Sequence, residues 1–213
     1  GMVLAVRWAR EKRVPFLGIC LGFQLAVVEF ARHVCGRTEA QSAELVETTT
    51  DPVVVYMPEV SRTHLGGTMR LGLRPTLFSD ESESRSKIRQ LYGGAPIVWE
   101  RHRHRYEINP EIAAELEKGG PLSSDKLVFI GKNEKGNRMQ VAEIHDHPYF
   151  VGMQAHPELA SRPLNPSPPF LGLVAAASGL LEEQIQVQLR TFKPPHPQSA
   201  MVLESEAPVE PSA

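Results

Sequence analysis

Val14-Pro15-Phe16-Leu17-Gly18-Ile19-Cys20-Leu21-Gly22-Phe23-Gln24 joins a short apolar run to a helical pattern. Leu21, Leu25, Val28 and Ala31 then recur at helical spacing, and Gly36 is placed to end the helix in a left-handed conformation. The stretch therefore predicts a buried strand, a tight turn and a helix, with Cys20 on the turn. A thiol at the first turn of a helix faces unpaired backbone N–H groups and the positive end of the macrodipole, which favour its ionised form. Gly18 and Gly22 flank it as small residues suited to a tight elbow, and the N–H of Leu21 is placed to meet an oxyanion. A buried core cysteine satisfies the same five residues equally well.

A second run, Phe150-Val151-Gly152-Met153-Gln154, reads as another buried strand and ends in Ala155-His156-Pro157-Glu158. A cysteine nucleophile is expected to have its histidine remote in sequence, because such partners meet in space. His156 can take the thiol proton, and Glu158 can orient the imidazole and stabilise its charged form. The pairing moves Cys20 from core cysteine towards nucleophile.

Bulk properties bound the alternatives. The chain has 213 residues, enough for one α/β domain with a full core, and is 41% hydrophobic and 23% charged. A formal net charge of -2 gives no reason to propose nucleic acid or an anionic membrane as a partner. The two cysteines, Cys20 and Cys35, would sit at opposite ends of one helix, too far apart to bridge. That usage suits a reducing, cytoplasmic setting. No apolar stretch reaches the ~20 residues needed to cross a bilayer. His102 with His104 and His145 with His147 are near neighbours, but no familiar zinc spacing accompanies them, so no metal is expected.

Along the rest of the chain, the stretch from Gly1 to Arg10 reads as the tail of an amphipathic helix with Leu4 and Trp8 on one face and Arg7, Arg10, Glu11 and Lys12 towards water. Residues 37–52 read as loop, 53–57 as a buried strand, and 66–72 as a glycine-bounded strand. Residues 86–91 suggest a short helix. Trp99 to Ile108 reads as one long strand, with Arg101, Arg103 and Arg105 on one face and His102, His104 and Tyr106 on the other. Asn109 and Pro110 open a helix that runs to Lys118, and residues 127–130 and 139–144 form a hairpin. Phe170 to Leu189 reads as one helix. Residues 1–190 form the expected domain, and residues 191–213, rich in Pro, Glu and Ser, a disordered tail.

Four motifs occur together: Gly18-Ile19-Cys20-Leu21-Gly22-Phe23-Gln24, Gly66-Gly67-Thr68-Met69-Arg70-Leu71-Gly72, Arg101-His102-Arg103-His104-Arg105-Tyr106-Glu107, and Gln154-Ala155-His156-Pro157-Glu158. With them the chain, from about Val3 to Leu181, resembles the C-terminal glutaminase domain of the CTP synthase family. The first and last motifs are shared across the triad-type glutamine amidotransferases, and the middle two point to this branch. The resemblance implies a three-layer, flavodoxin-like α/β sandwich with a mostly parallel central sheet, incomplete at its N-terminus. It implies Cys20 as nucleophile, His156 as base and then acid, and Glu158 as orienter. It further implies that Leu21, Gly22 and Phe23 lie against substrate glutamine, that Gln24 and Glu44 hold its side-chain amide, and that Arg105 holds its α-carboxylate. Ala155 stands where the family usually carries an aromatic.

The resemblance also implies partners beyond this chain. A glycine-rich loop supplying a second oxyanion N–H, and a synthetase domain binding UTP, ATP and Mg2+ in a homo-oligomeric enzyme, are expected outside it. These 213 residues alone are therefore expected to show negligible turnover. The rival reading, from another class, is a non-catalytic module that keeps the fold and its association surfaces.

Overall fold

The computed structural model describes residues 1–57 and 69–194. Helix α1 (Met2–Lys12) leads into β1 (Phe16–Ile19) and α2 (Leu21–His33), the expected strand, turn and helix. There follow β2 (Ala40–Ser42), β3 (Asp51–Tyr56), β4 (Arg70–Phe78), α3 (Lys87–Leu91), β5 (Ile97–His104), β6 (Tyr106–Ile108) and α4 (Pro110–Lys118). The hairpin β7 (Leu127–Lys132) and β8 (Met139–Ile144) precedes β9 (Phe150–Met153), and α5 (Pro168–Ala177) and α6 (Leu181–Thr191) complete the order.

Six strands form the central sheet in the order β1-β9-β8-β7-β4-β5. Neighbouring residues of each strand face opposite sides, and two apolar cores result. Phe150, Leu127, Phe129 and Ile144 join residues of α1, α2 and α4 on one face. Val151, Met153, Val141 and Ile130 join Ile88, Leu91 and Ile185 on the other, where α3, α5 and α6 pack. Three layers and an α/β fold are thus as expected, but the strand directions are not mostly parallel. Only β1 and β9 run parallel within the six; β9-β8, β8-β7, β7-β4 and β4-β5 are antiparallel. Parallel neighbours need a long crossover, whereas β7, β8 and β9 follow one another through short turns that force reversal. A second sheet, β2-β3-β6, stands beside the first.

Several local expectations are corrected. The segment expected to be loop after Gly36 contains β2, held in parallel pairing to β3 at Ala40↔Asp51. The long strand breaks at Arg105, because β5 belongs to the central sheet while β6 pairs with β3 at Tyr56↔Tyr106. The long C-terminal helix divides at Gly179, whose φ of +73° ends α5 as Leu180 N–H bonds the Ala175 carbonyl. Of the glycine-bounded strand, residues 66–68 lie outside the described residues, and β4 begins at Arg70. The expected tail from residue 195 onward also lies outside them.

In α1 Arg7, Glu11 and Lys12 face water as expected, but the buried face is not the one expected. Leu4 and Trp8 are exposed at 67% and 56%, while Val6, Ala9 and Arg10 are buried. Arg10 turns inward because its guanidinium forms a two-pronged pair with Glu29 of α2, at 2.9 and 2.8 Å, and reaches Asp125 at 2.7 Å. Arg10→Ala would leave the Glu29 carboxylate buried without this partner, and should cost roughly 3–5 kcal/mol. Arg7→Ala, which breaks only an exposed pair with Glu11, should cost under ~1 kcal/mol. Guanidinium unfolding of the two variants checks the contrast; equal losses would show that the Arg10 pair carries no special weight.

Candidate active site

The parallel register Ile19↔Met153 brings the carboxyl ends of β1 and β9 to one edge, so the loops bearing Cys20 and His156 share it. Cys20 is the N-cap of α2 with φ 51° and ψ −105°, one of two non-glycine residues with positive φ among the described residues. Strain of this kind persists only where the surroundings over-determine it. Here the Cys20 N–H bonds the Met153 carbonyl at 2.8 Å, and the Cys20 carbonyl accepts from Gln24 N–H at 3.1 Å. Gly18 permits the turn: a Cβ there would lie 2.8 Å from the backbone of Gly22. Gly22 is not required in the same way, since a Cβ on it would meet nothing within 4 Å.

The expected ease of ionisation at Cys20 is not what the folded environment produces. Burial is the largest influence and pushes the thiol up, with the charges of Glu44 and Glu158 acting in the same sense. The Leu21 N–H and the Gln154 side chain oppose it by hydrogen bonding to the sulfur. Burial also raises Cys35, so the helix terminus alone does not distinguish the two thiols.

His156 donates its backbone N–H to the Arg101 carbonyl at 2.8 Å, which ties its loop to β5. Its Nδ1 lies 2.6 Å from Glu158 Oε1. The carboxylate fixes the tautomer with the proton on Nδ1, leaving Nε2 as a bare lone pair. That Nε2 is buried and has no hydrogen-bond partner among the described residues.

A cavity of about 240 Å3 opens at the nucleophile. Cys20, Leu21, Gln24, Glu44 and Arg105 line it, together with Met69, Arg103, His104 and Tyr106. Glu44 sits in the turn after β2, its N–H held by Ser42 Oγ at 3.3 Å. Burial raises its carboxyl while Arg105 pulls it back down. Gly22 and Phe23 are not brought into this cavity. Phe23 is fully buried, its ring seated over Gly152, where a Cβ would fall 2.3 Å from Phe23 Cδ2. A larger cavity, about 580 Å3, is lined by Trp99, Leu171 and Phe192 among others, but holds neither Cys20 nor His156.

Three contributors were not assigned to this site by sequence reasoning. Gln154 places Nε2 3.6 Å from Cys20 Sγ, although it stands inside a motif that was read for its histidine. His104 Nδ1 lies 2.9 Å from the Tyr106 carbonyl, and His102 Nδ1 lies 3.1 Å from His104 Nε2. The signal was the period-two burial of β5, which sends both imidazoles inward while Arg101 and Arg103 stay exposed.

The chain belongs to the glutamine amidotransferase class-I family, whose description matches residues 1–176. Among curated relatives it is 58% identical over 186 residues to CTP synthase of Schizosaccharomyces pombe, covering 87% of this chain and 30% of that protein. CTP synthase 2 of Saccharomyces cerevisiae is 55% identical over 190 residues, covering 87% of this chain and 32% of that one. The chain thus spans about a third of the length of these relatives. Among solved structures, the Trypanosoma brucei CTPS glutaminase domain with bound acivicin superposes with a TM-score of 0.74 at 31% identity, over 84% of this chain and 65% of that one.

The buried imidazoles generate a pH dependence of stability. Burial, reinforced by the neighbouring imidazole and Arg70, pushes His102 down to about 2; burial, aided by Arg70, takes His104 to about 4. Both therefore stay neutral in the fold where the unfolded chain, near 6.5, already binds protons. Stability from these groups is fully present above pH 6.5 and falls as pH drops below it, by ~1.4 kcal/mol per unit for each. Replacing both with Asn should flatten the change between pH 7 and pH 5 by roughly 2–4 kcal/mol relative to the parent chain. Urea unfolding at the two pH values tests this, and identical slopes would refute it.

Proposed function

We propose that Cys20, His156 and Glu158 are the groups through which L-glutamine is hydrolysed to glutamate and ammonia within a longer enzyme, these 213 residues alone showing negligible turnover. The observation that carries this reading is the composition of the cavity at Cys20. A carboxylate, Glu44, and a guanidinium, Arg105, line the same small cavity as the nucleophile. Opposite charges there suit the α-ammonium and α-carboxylate of a free amino acid, with the side chain directed at the sulfur. On this reading Glu44 holds the ammonium rather than the side-chain amide, because a carboxylate attracts a full positive charge more strongly than a neutral NH2 group. Gln24 Oε1, buried and without a hydrogen-bond partner among the described residues, is available to a substrate N–H. Leu21 contributes its backbone N–H, whereas Gly22 and Phe23 support the elbow from behind.

In the half-reaction the thiol proton passes to His156 Nε2, and the sulfur attacks the carboxamide carbon. The Leu21 N–H stabilises the oxyanion. Collapse expels the amide nitrogen, which takes the proton from His156 and leaves as ammonia. Water then loses a proton to His156, attacks the thioester and releases glutamate and the free thiol. Glu158 holds the imidazole through both transfers.

The relatives named CTP synthase support a wider assignment in which the ammonia aminates UTP to CTP in an attached synthetase domain. ATP and Mg2+ would act in that domain, in a homo-oligomeric enzyme of pyrimidine nucleotide biosynthesis. Among the described residues no group of three or more His, Cys, Asp or Glu could hold a metal ion, and no step of the glutaminase half-reaction is routed through one. A cytoplasmic setting is supported by the two free cysteines. No helix of the described residues is long and apolar enough to cross a membrane.

A diazoketone analogue of glutamine tests the assignment directly, since it alkylates a thiolate held where the carboxamide carbon would lie. It should modify Cys20 and not Cys35, and both glutamine and acivicin should protect. Arg105→Ala should weaken protection by glutamine about tenfold or more, the loss of one charge-assisted contact. Modification of Cys35 alone, or none at Cys20, would favour the non-catalytic module instead.

A further inference from the structure

The amide chain behind Cys20 has a polarity that the surrounding groups impose. The Tyr106 carbonyl can only accept, so Gln24, 2.9 Å away, must present Nε2 to it. The same Nε2 lies 3.1 Å from Gln154, which must therefore turn its Oε1 towards Gln24. With its oxygen committed, Gln154 has only its NH2 group left to aim at Cys20 Sγ, 3.6 Å away. Gln24 and Gln154 are each only 1% exposed, so water does not scramble this order. His104 adds a second anchor, its Nδ1 lying 2.9 Å from the same Tyr106 carbonyl.

We propose that Gln154 acts directly on the nucleophile, donating an N–H to the Cys20 sulfur and stabilising the thiolate, with Gln24 and the Tyr106 carbonyl locking the direction of the bond. The role rests on Cys20 being the nucleophile. A hydrogen bond to an ionised acceptor is stronger than one to its neutral form, so a fixed donor selects the thiolate. Among the described residues Leu21 N–H supplies the other donor to the sulfur, and that group must also serve the oxyanion. A second, permanently oriented donor keeps the thiolate supported when Leu21 N–H turns to the substrate oxygen.

The charged and titratable groups around the sulfur come from three elements. Glu44 follows β2, Arg103, His104 and Arg105 belong to β5 and the break after it, and Glu158, which holds His156, follows β9. Replacing Gln154 alters none of them. The test is the pH profile of iodoacetamide alkylation in the full 213-residue chain, with Cys35 as internal reference. Gln154→Met, close in size but without donors, should slow Cys20 alkylation at pH 7 about tenfold while leaving the high-pH limit and the Cys35 rate unchanged. Gln154→Glu, which still accepts from Gln24 but turns a carboxylate to the sulfur, should slow it further. In the unmutated chain, the Gln154 side-chain amide NMR signal should shift as Cys20 titrates.

A Gln154→Met profile superimposable on the parent, or an amide signal indifferent to the titration, would overturn the proposal. Simple alkylation does not require glutamine to bind. Failure of the diazoketone to label Cys20 would therefore strike at the glutaminase reading, while these outcomes strike at Gln154 alone.

Discussion

Two glycines face each other across adjacent strands, Gly18 of β1 and Gly152 of β9. A side chain on the first would collide with the opening turn of α2, and a side chain on the second with the ring of Phe23. Their absence of side chains lets α2 descend onto the sheet at the point where β1 ends. That close approach is what compresses the connection between strand and helix to the single residue Cys20, at a positive φ. The nucleophile's exposure to the cavity, the direction of the Leu21 N–H and the reach of Gln154 to the sulfur all follow from it. Phe23 belongs to this device, which is why a residue inside the elbow motif lies in the core instead of the cavity.

The same compactness works against the chemistry. A sulfur pressed between a sheet and a helix loses water, and desolvation raises its thiol further than the helix terminus lowers it. Directed polar groups oppose this: the Leu21 backbone N–H and a buried amide of fixed polarity, that of Gln154. Polar residues are correspondingly dense in this interior, with Gln24, Gln154, His102 and His104 all buried. Each makes at least one hydrogen bond, and together they form a chain from β5 to the nucleophile.

Much of this architecture was readable along the chain. The strand, elbow and α2 were set by an apolar run, flanking glycines and helical spacing. α4 was marked by Asn109 and Pro110, and the β7-β8 hairpin by two apolar runs about a turn. Cys20, His156 and Glu158 were picked out because their residue types and local contexts suit the nucleophile, base and orienter proposed for them. All of these signals depend on neighbours within a few residues, where backbone geometry and side-chain periodicity act directly.

What local pattern could not decide was set by contacts between distant segments. Arg10 looks like a solvent residue until Glu29 and Asp125 are found beside it. Arg105 continues the alternation of β5 on paper, yet the strand breaks there because its continuation pairs with β3 in a second sheet. Sheet direction, the meeting of Glu44 with Arg105, and the polarity of Gln154 are likewise products of packing. The sequence by itself determined the elbow, α4, the hairpin and the residue types of the proposed nucleophile, base and orienter, since these follow from short-range spacing and residue type. Only the tertiary structure decided which side chains face the sulfur and how its charge is balanced, because burial and hydrogen-bond direction depend on groups up to 134 positions apart along the chain.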